Sequence, residues 1–174
     1  MIALYIIGGF IALVLLVAAV VGTDWQFEKS INISASPDRV WEFTNSLASM
    51  NKWNPWMAKD PDIKIQTSGI DGTPGASFSW VSDVKNVGEG SQTITGVKEK
   101  KEMLSRVDFI KPFKGTGQGA LILSEENGGT KVSWRMESST PYPMNIVKLF
   151  GLIEKSMDKD FGEGLNKLKS LCEG

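Results

Sequence analysis

The chain has no histidine and one cysteine, Cys172, close to its C-terminus. Without histidine, Ser-His-Asp and Cys-His nucleophiles, histidine-ligated metals and imidazole proton shuttles are all excluded. One thiol makes no intrachain disulfide and builds no zinc site alone. An excess of charge of one sign is also lacking: 19 Lys and Arg stand against 20 Asp and Glu, interspersed along the chain. That balance gives no basic footprint for nucleic acid and reads as an ordinary solvated surface. Any catalysis would have to run on carboxylates, Tyr, Lys or Arg. Repeats and low-complexity stretches are absent, and 174 residues hold one domain of ordinary size with an accessory segment.

Charge is absent altogether from Ile2 to Thr23, and thirteen of the twenty residues from Ile2 to Val21 are Ile, Leu, Val or Phe. At ~1.5 Å rise per residue, such a helix matches a hydrocarbon core of about 30 Å. Its apolar side chains run all round, whereas a core helix of a soluble protein keeps a polar stripe. Nothing basic precedes Lys29, so the n-region of a cleaved signal peptide is missing, and the apolar run exceeds a usual h-region. The expected organisation is a single-pass membrane anchor over 1–23 and one domain over 24–174. Lys29 and Arg39 follow the helix and no side-chain cation precedes it, a small bias toward a cytoplasmic domain.

From Trp25 the pattern changes to period two. Trp25, Phe27, Ile31 and Ile33 alternate with polar residues, which predicts a first strand over Trp25–Ser34. Lys29 falls on the apolar phase, a blemish best tolerated near a sheet edge. Ser36-Pro37 supplies a helix N-cap with proline at the first helical position. A short helix follows, then a second over Leu47–Trp53. Six further strands are predicted: Ile63–Thr67, Gly75–Ser82, Gly88–Lys98, Glu102–Ile110, Gly115–Glu125 and Thr130–Ser139. Asn127-Gly128-Gly129 marks a hairpin turn before the last. A long helix over Met144–Leu171 ends the chain, with Ile146, Phe150, Ile153, Met157, Phe161, Leu165 and Leu168 stepping by three or four. Gly162 and Gly164 read as points of close contact between helix and sheet. The expected fold is α+β: a curved antiparallel sheet of about seven strands wrapped around the long C-terminal helix, with two short helices after the first strand. This is the helix-grip arrangement.

The segments Ile31-Asn32-Ile33-Ser34-Ala35-Ser36-Pro37-Asp38-Arg39-Val40-Trp41 and Trp53-Asn54-Pro55-Trp56 resemble the START-like (SRPBCC) superfamily. So do Asp108-Phe109-Ile110-Lys111-Pro112-Phe113-Lys114-Gly115, Gly129-Thr130-Lys131-Val132-Ser133-Trp134, and the C-terminal Met157-Asp158, Asp160-Phe161 and Gly164-Leu165-Asn166-Lys167-Leu168-Lys169. The likeness spans Phe27–Leu171 and points to the polyketide-cyclase and lipid-transport branch. It implies a cavity for an apolar ligand, roofed by Phe150, Ile153 and Met157, with Leu165 and Leu168 structural. It does not specify a ligand, because the superfamily also holds cyclases and chaperone activators.

Four of the six tryptophans are candidates for lining that cavity. Trp53 and Trp56 sit on a loop-like segment at its mouth, Trp80 shares a strand face with Phe78, and Trp134 shares one with Met136. With Phe109 these offer the aromatic and thioether surface that suits apolar ligands, although the same residues would fill an ordinary core. A cyclase needs an acid or base inside. Asp108, Glu137, Arg106 and Arg135 are out of phase with their apolar neighbours, Glu42 lies on a short helix, and no two carboxylates converge. The glycine-rich stretches Gly69–Gly75 and Gly115–Gly119 open no helix after a parallel strand, so they read as sheet turns rather than phosphate loops. The expectation is binding of an apolar small molecule or lipid by a membrane-tethered domain, without metal or organic cofactor and without nucleic acid. A cyclase-type enzyme and a protein-interaction module resembling chaperone activators are the alternatives.

Overall fold

The computed structural model describes residues 1–174. Helix α1 (Ile2–Val20) is long and apolar enough to cross a membrane, and Ala18 is its one buried residue. Then come β1 (Asp24–Ile33), three short helices α2 (Pro37–Thr44), α3 (Leu47–Asn51) and α4 (Pro55–Lys59), and strands β2 (Lys64–Ser68) and β3 (Ser77–Val81). Strands β4 (Glu89–Lys98), β5 (Glu102–Lys111), β6 (Gly115–Glu126) and β7 (Gly129–Ser139) follow, then a 3-10 helix (Met144–Phe150) and α5 (Leu152–Glu173). The seven strands form one antiparallel sheet in the order β1-β7-β6-β5-β4-β3-β2. A crossover thus brings the last strand beside the first, and the sheet curves around α5. The α+β helix-grip architecture is as expected.

Register explains which face is buried. Trp134 stands opposite Leu121, Leu121 opposite Met103, and Phe78 opposite Gln92, so the concave face is continuous from β7 to β3. Ile33, Val132, Leu121, Met103, Ile94 and Phe78 on that face join Val40, Leu47, Phe161, Leu165 and Leu168 from the helices in one core. The hairpin before β7 turns on Asn127 and Gly128, both at positive φ, as the Asn-Gly pair requires. β1 is an edge strand. Its inward Lys29 escapes the core by reaching the Asp158 carboxylate of α5 at 2.5 Å.

Two expectations need correction. The C-terminal helix is not continuous from Met144: Gly151 adopts a left-handed conformation (φ +61) that ends the 3-10 turn and starts α5 in a new direction. Nothing crowds a side chain there, so glycine serves the backbone angle and not a close contact. Gly164 is the opposite case, since a Cβ there would meet Trp134 at 2.9 Å and Pro55 at 3.1 Å. The second correction is that three short helices, not two, follow β1. Asn54 accepts from the Trp56 N–H at 3.0 Å and Pro55 takes the first helical position, the same capping logic as Ser36-Pro37. The segment Trp53–Trp56 is therefore a helix start and not a loop.

Candidate functional site

The inner surface divides along α5. Its second half is dense: Phe161, Gly164, Leu165, Leu168 and Cys172 are buried. At mid-helix Phe161 stacks on Trp134, centroids 4.0 Å apart and planes at 12°. Trp53 meets Trp134 edge-on at 5.1 Å, Trp56 does so at 5.9 Å, and Phe27 meets Phe161 at 5.4 Å. Edge-to-face packing of this kind is a favourable arrangement of ring quadrupoles. The five rings form a wall across the grip.

On the side of the wall nearer α1, the sheet floor is made of small or flexible residues. Gly117 and Gly119 of β6 stand opposite Val107 and Ser105 of β5, and Ser105 accepts from the Gln92 amide at 2.9 Å. Met136 lies over this floor, its sulfur 3.0 Å from where a Gly117 Cβ would be. Met157 of α5 and Phe109 of β5 are half-buried against the core nearby. Trp80 covers Gly90, its cross-strand partner, and donates from its indole N–H to the Val87 carbonyl.

The expected site residues therefore fall into three groups. Trp53, Phe78, Trp80 and Trp134 are buried in the core. Trp53, expected at an entrance, is fully enclosed and donates its indole N–H to the Phe43 carbonyl at 2.8 Å. Trp56, Phe109, Met136 and Met157 are half-buried at the margin of the core. Ile153 is half-buried outside the core cluster, and Phe150, placed before the Gly151 bend, is 70% exposed. The bend explains the last position, because a continuous helix would have turned Phe150 inward with Met157.

Several polar residues at the site's edge had no place in the sequence reading. Asp160 of α5 is buried and pairs with Lys59 of α4 at 2.6 Å, and Lys59 also lies over the Trp56 ring. This clasp ties α4 to α5 beside the aromatic wall. Asp160 is three residues beyond Met157, on the packed stripe of the helix, so helical phase alone could have found it. Asp60, also buried, accepts from the Ser82 hydroxyl at 2.5 Å and so ties the end of α4 to the residue after β3. Asp71 in the Gly69–Gly75 turn accepts from the Leu47 and Ala48 N–H groups, capping α3. Asn145 has its amide buried against the end of α1, donating to the carbonyls of Ala18 at 2.7 Å and Val21 at 2.6 Å. Nothing in its local sequence marks it.

The outward charges behave as solvated pairs. Arg106 beside Asp108, with the Thr116 hydroxyl, holds that carboxyl below its usual range. Arg135 faces Glu137 at 3.4 Å, and Arg39 faces Glu42 at 2.6 Å. Burial pushes the Cys172 thiol up to about 11, which leaves it protonated and unreactive at neutral pH. Two surface grooves, of about 510 and 790 Å³, lie on the sheet's outer side near Gln26 and Glu137 and beside Lys100. Polar and charged residues make up most of their linings, with Trp25 in the first and Ile122 and Leu123 in the second.

A seven-stranded antiparallel sheet gripping one long C-terminal helix defines the class, and sequence defines the family. Residues 24–173 match the family described as polyketide cyclase / dehydrase and lipid transport, and the chain belongs to it. Among solved structures, protein CV1439 from Chromobacterium violaceum shares the fold with a TM-score of 0.60 at 13% identity, over 86% of this chain and 97% of that one. The Aha1 dimer from Colwellia psychrerythraea gives 0.58 at 15% identity, over 86% and 96%. The di-domain ARO/CYC StfQ from the steffimycin biosynthetic pathway gives 0.65 at 8% identity, over 87% of this chain and 51% of that one. Identities this low establish a shared fold and leave function to the site. No curated protein matches the chain.

Proposed function

We propose that this protein binds an apolar small molecule or lipid, without catalysis, between the sheet and the first half of α5, while α1 tethers it to a membrane. The observation that carries the reading is the floor of Gly117, Gly119 and Ser105 on the α1 side of the aromatic wall, covered by the movable Met136 and flanked on the same face of β5 by the half-buried Phe109. A methionine has three rotatable bonds and a polarizable sulfur, so swinging it aside exposes apolar space at small cost. Cyclisation or dehydration would require an acid or base on this floor. Its polar groups are the Ser105 hydroxyl and the Gln92 amide, bonded to each other. Retention of α1 is favoured by the two carbonyls at its end that Asn145 occupies, which cleavage would remove.

The test is a titration of a fragment starting at Asp24, which keeps the whole core cluster, with long-chain fatty acids and other apolar probes. Saturable change in tryptophan fluorescence supports the reading, together with small molecules recovered by mass spectrometry from protein purified without detergent. Binding lost on replacing Gly119 by leucine would tie it to this floor. No response across a broad apolar panel would overturn the reading.

A further inference from the structure

The most exposed apolar side chains outside α1 are not scattered. Seven large ones are more than half exposed, and all but Ile70 lie at the end of the domain where α1 attaches. Tyr142, Met144, Leu149, Phe150 and Leu152 come from the 3-10 helix and its flanks, and Phe113, 75% exposed, comes from the β5–β6 turn. Register puts that turn at the same end: Gly117 faces Ser138, next to the pair of Ser139 with Asp24 at the start of β1. Contiguous apolar exposure of this kind marks an interaction surface.

The end of α1 fixes what meets that surface. Nineteen residues of helix span roughly 28 Å, about the hydrocarbon thickness of a bilayer, so the last turn lies at the headgroup boundary. That turn is held to the domain, because the Asn145 amide donates to Ala18 and Val21 and the Lys148 ammonium donates to the Gly22 carbonyl at 2.7 Å. Both neighbours of the Asn145 amide are acceptors, so its orientation is determined by the chain itself. The bonds act as an elbow that keeps the 3-10 helix at the depth of the helix end.

We propose that this end of the domain is a bilayer-docking surface, in which Phe113, Tyr142, Met144, Leu149, Phe150 and Leu152 enter the membrane interface beside α1. The proposal rests on the reading of α1 as a retained anchor. Its consequence is that the α1 side of the grip, where the glycine floor lies, faces the lipid and not bulk water, so an apolar ligand can pass between bilayer and site without crossing water. At this end Lys85, Lys111, Lys114, Lys148 and Lys155 stand against Asp24, Asp83, Glu89 and Glu154, a net excess of one cation. So small an excess leaves the apolar side chains as the main source of docking, which should then proceed on a zwitterionic bilayer.

The test uses the full chain with Cys172→Ser and one new cysteine at a time, in place of Phe150, Phe113, Ile70 or Gly9, each carrying an environment-sensitive fluorophore. The proteins are reconstituted in phosphatidylcholine vesicles with and without nitroxide-labelled lipid. The labels at Phe150 and Phe113 should be quenched several-fold more than the label at Ile70, and the label at Gly9 should be quenched by nitroxide near mid-chain. If the Gly9 label is quenched while those at Phe150 and Phe113 behave like Ile70, the anchor stands and the docking surface is overturned. If the Gly9 label is not quenched, anchor and docking fall together. Asn145→Ala should lower the quenching at Phe150 and leave that at Gly9 unchanged; equal quenching at Phe150 would overturn the elbow.

Discussion

The two halves of α5 cover the same sheet in different ways. Beyond Phe161, toward the C-terminus, Leu165 and Leu168 are almost wholly enclosed, and Gly164 lets helix and sheet touch ring to backbone. Before Phe161, Ile153 and Met157 are half-buried, and the floor beneath is glycine and serine under a methionine. One helix is thus tightly packed at one end and loosely packed at the other, a rivet and, on the proposed reading, a lid. The aromatic wall of Trp134, Phe161 and Trp53 is the boundary between them. On the proposed reading, stability and ligand access are supplied by separate turns of one element, so each can be altered without the other.

The sharpest break of that division is Leu165→Ala. Truncating an enclosed leucine removes packed atoms and leaves a void, so unfolding free energy should fall by about 2–5 kcal/mol. Denaturant titration should show a matching drop in midpoint with little change in slope. A loss under about 1 kcal/mol would mean the dense half is not dense.

Cys172 reports the dryness of that half through pH. Its thiol ionises near 9 when unfolded and at about 11 when folded. The folded state therefore keeps its full stability below pH 9 and loses it as pH rises to 11, because the unfolded chain releases its proton first. Two pH units would correspond to about 2–3 kcal/mol at most, and solvent screening lowers the effect to roughly half of that. The pH slope of the urea midpoint between 9 and 11 should be steeper in the wild type than in Cys172→Ala, whatever the absolute stability of the variant. Equal slopes would place water beside the thiol.

The glycines of α5 sharpen the comparison further. Gly164→Ala gains up to about 1 kcal/mol of helix propensity but drives a methyl into the Trp134 ring and Pro55, and overpacking of this kind costs roughly 1–3 kcal/mol. Net destabilisation is expected. Gly162→Ala meets only the end of the Lys29 side chain, at 3.2 Å, which can yield while keeping its pair with Asp158, and should stabilise. Thermal melts of the two variants should move in opposite directions.

Much of this was legible in the residues, and the misses share a cause. Period-two alternation and glycine-rich turns located all seven strands within about two residues; six have a buried or half-buried face and a wet one, whereas β2 is exposed along its whole length. The close contact at Gly164 was legible as well, since a glycine on an apolar stripe has few other uses, but Gly162, read the same way, meets only the end of the Lys29 side chain. Gly151 was missed because its role depends on a backbone angle, and the apolar spacing of Phe150 and Ile153 continues unbroken across it. Helix α4 was missed although Asn54-Pro55 repeats the Ser36-Pro37 signal, because the two tryptophans drew the reading toward a loop. Asn145 was illegible: its partners are carbonyls more than a hundred residues away in sequence, and no local pattern announces a tertiary cap.

Met157→Trp carries the smallest expected change in stability and tests the comparison from the lid side. In a closed core the larger ring would force neighbours off their rotamers at a cost of roughly 1–3 kcal/mol. Met157 is half-buried on the loosely packed half of α5, between exposed neighbours, so a larger ring has somewhere to go. Stability should change by less than about 1 kcal/mol, within the range of substitutions at yielding sites. Binding should respond in the opposite sense, since the indole occupies the volume an apolar probe would fill: saturable fluorescence quenching by a fatty acid should disappear. A variant that binds the probe as before would move the ligand away from the first half of α5. One that unfolds as readily as Leu165→Ala would show the lid half to be as full as the riveted half, and the division of labour along the helix would not hold.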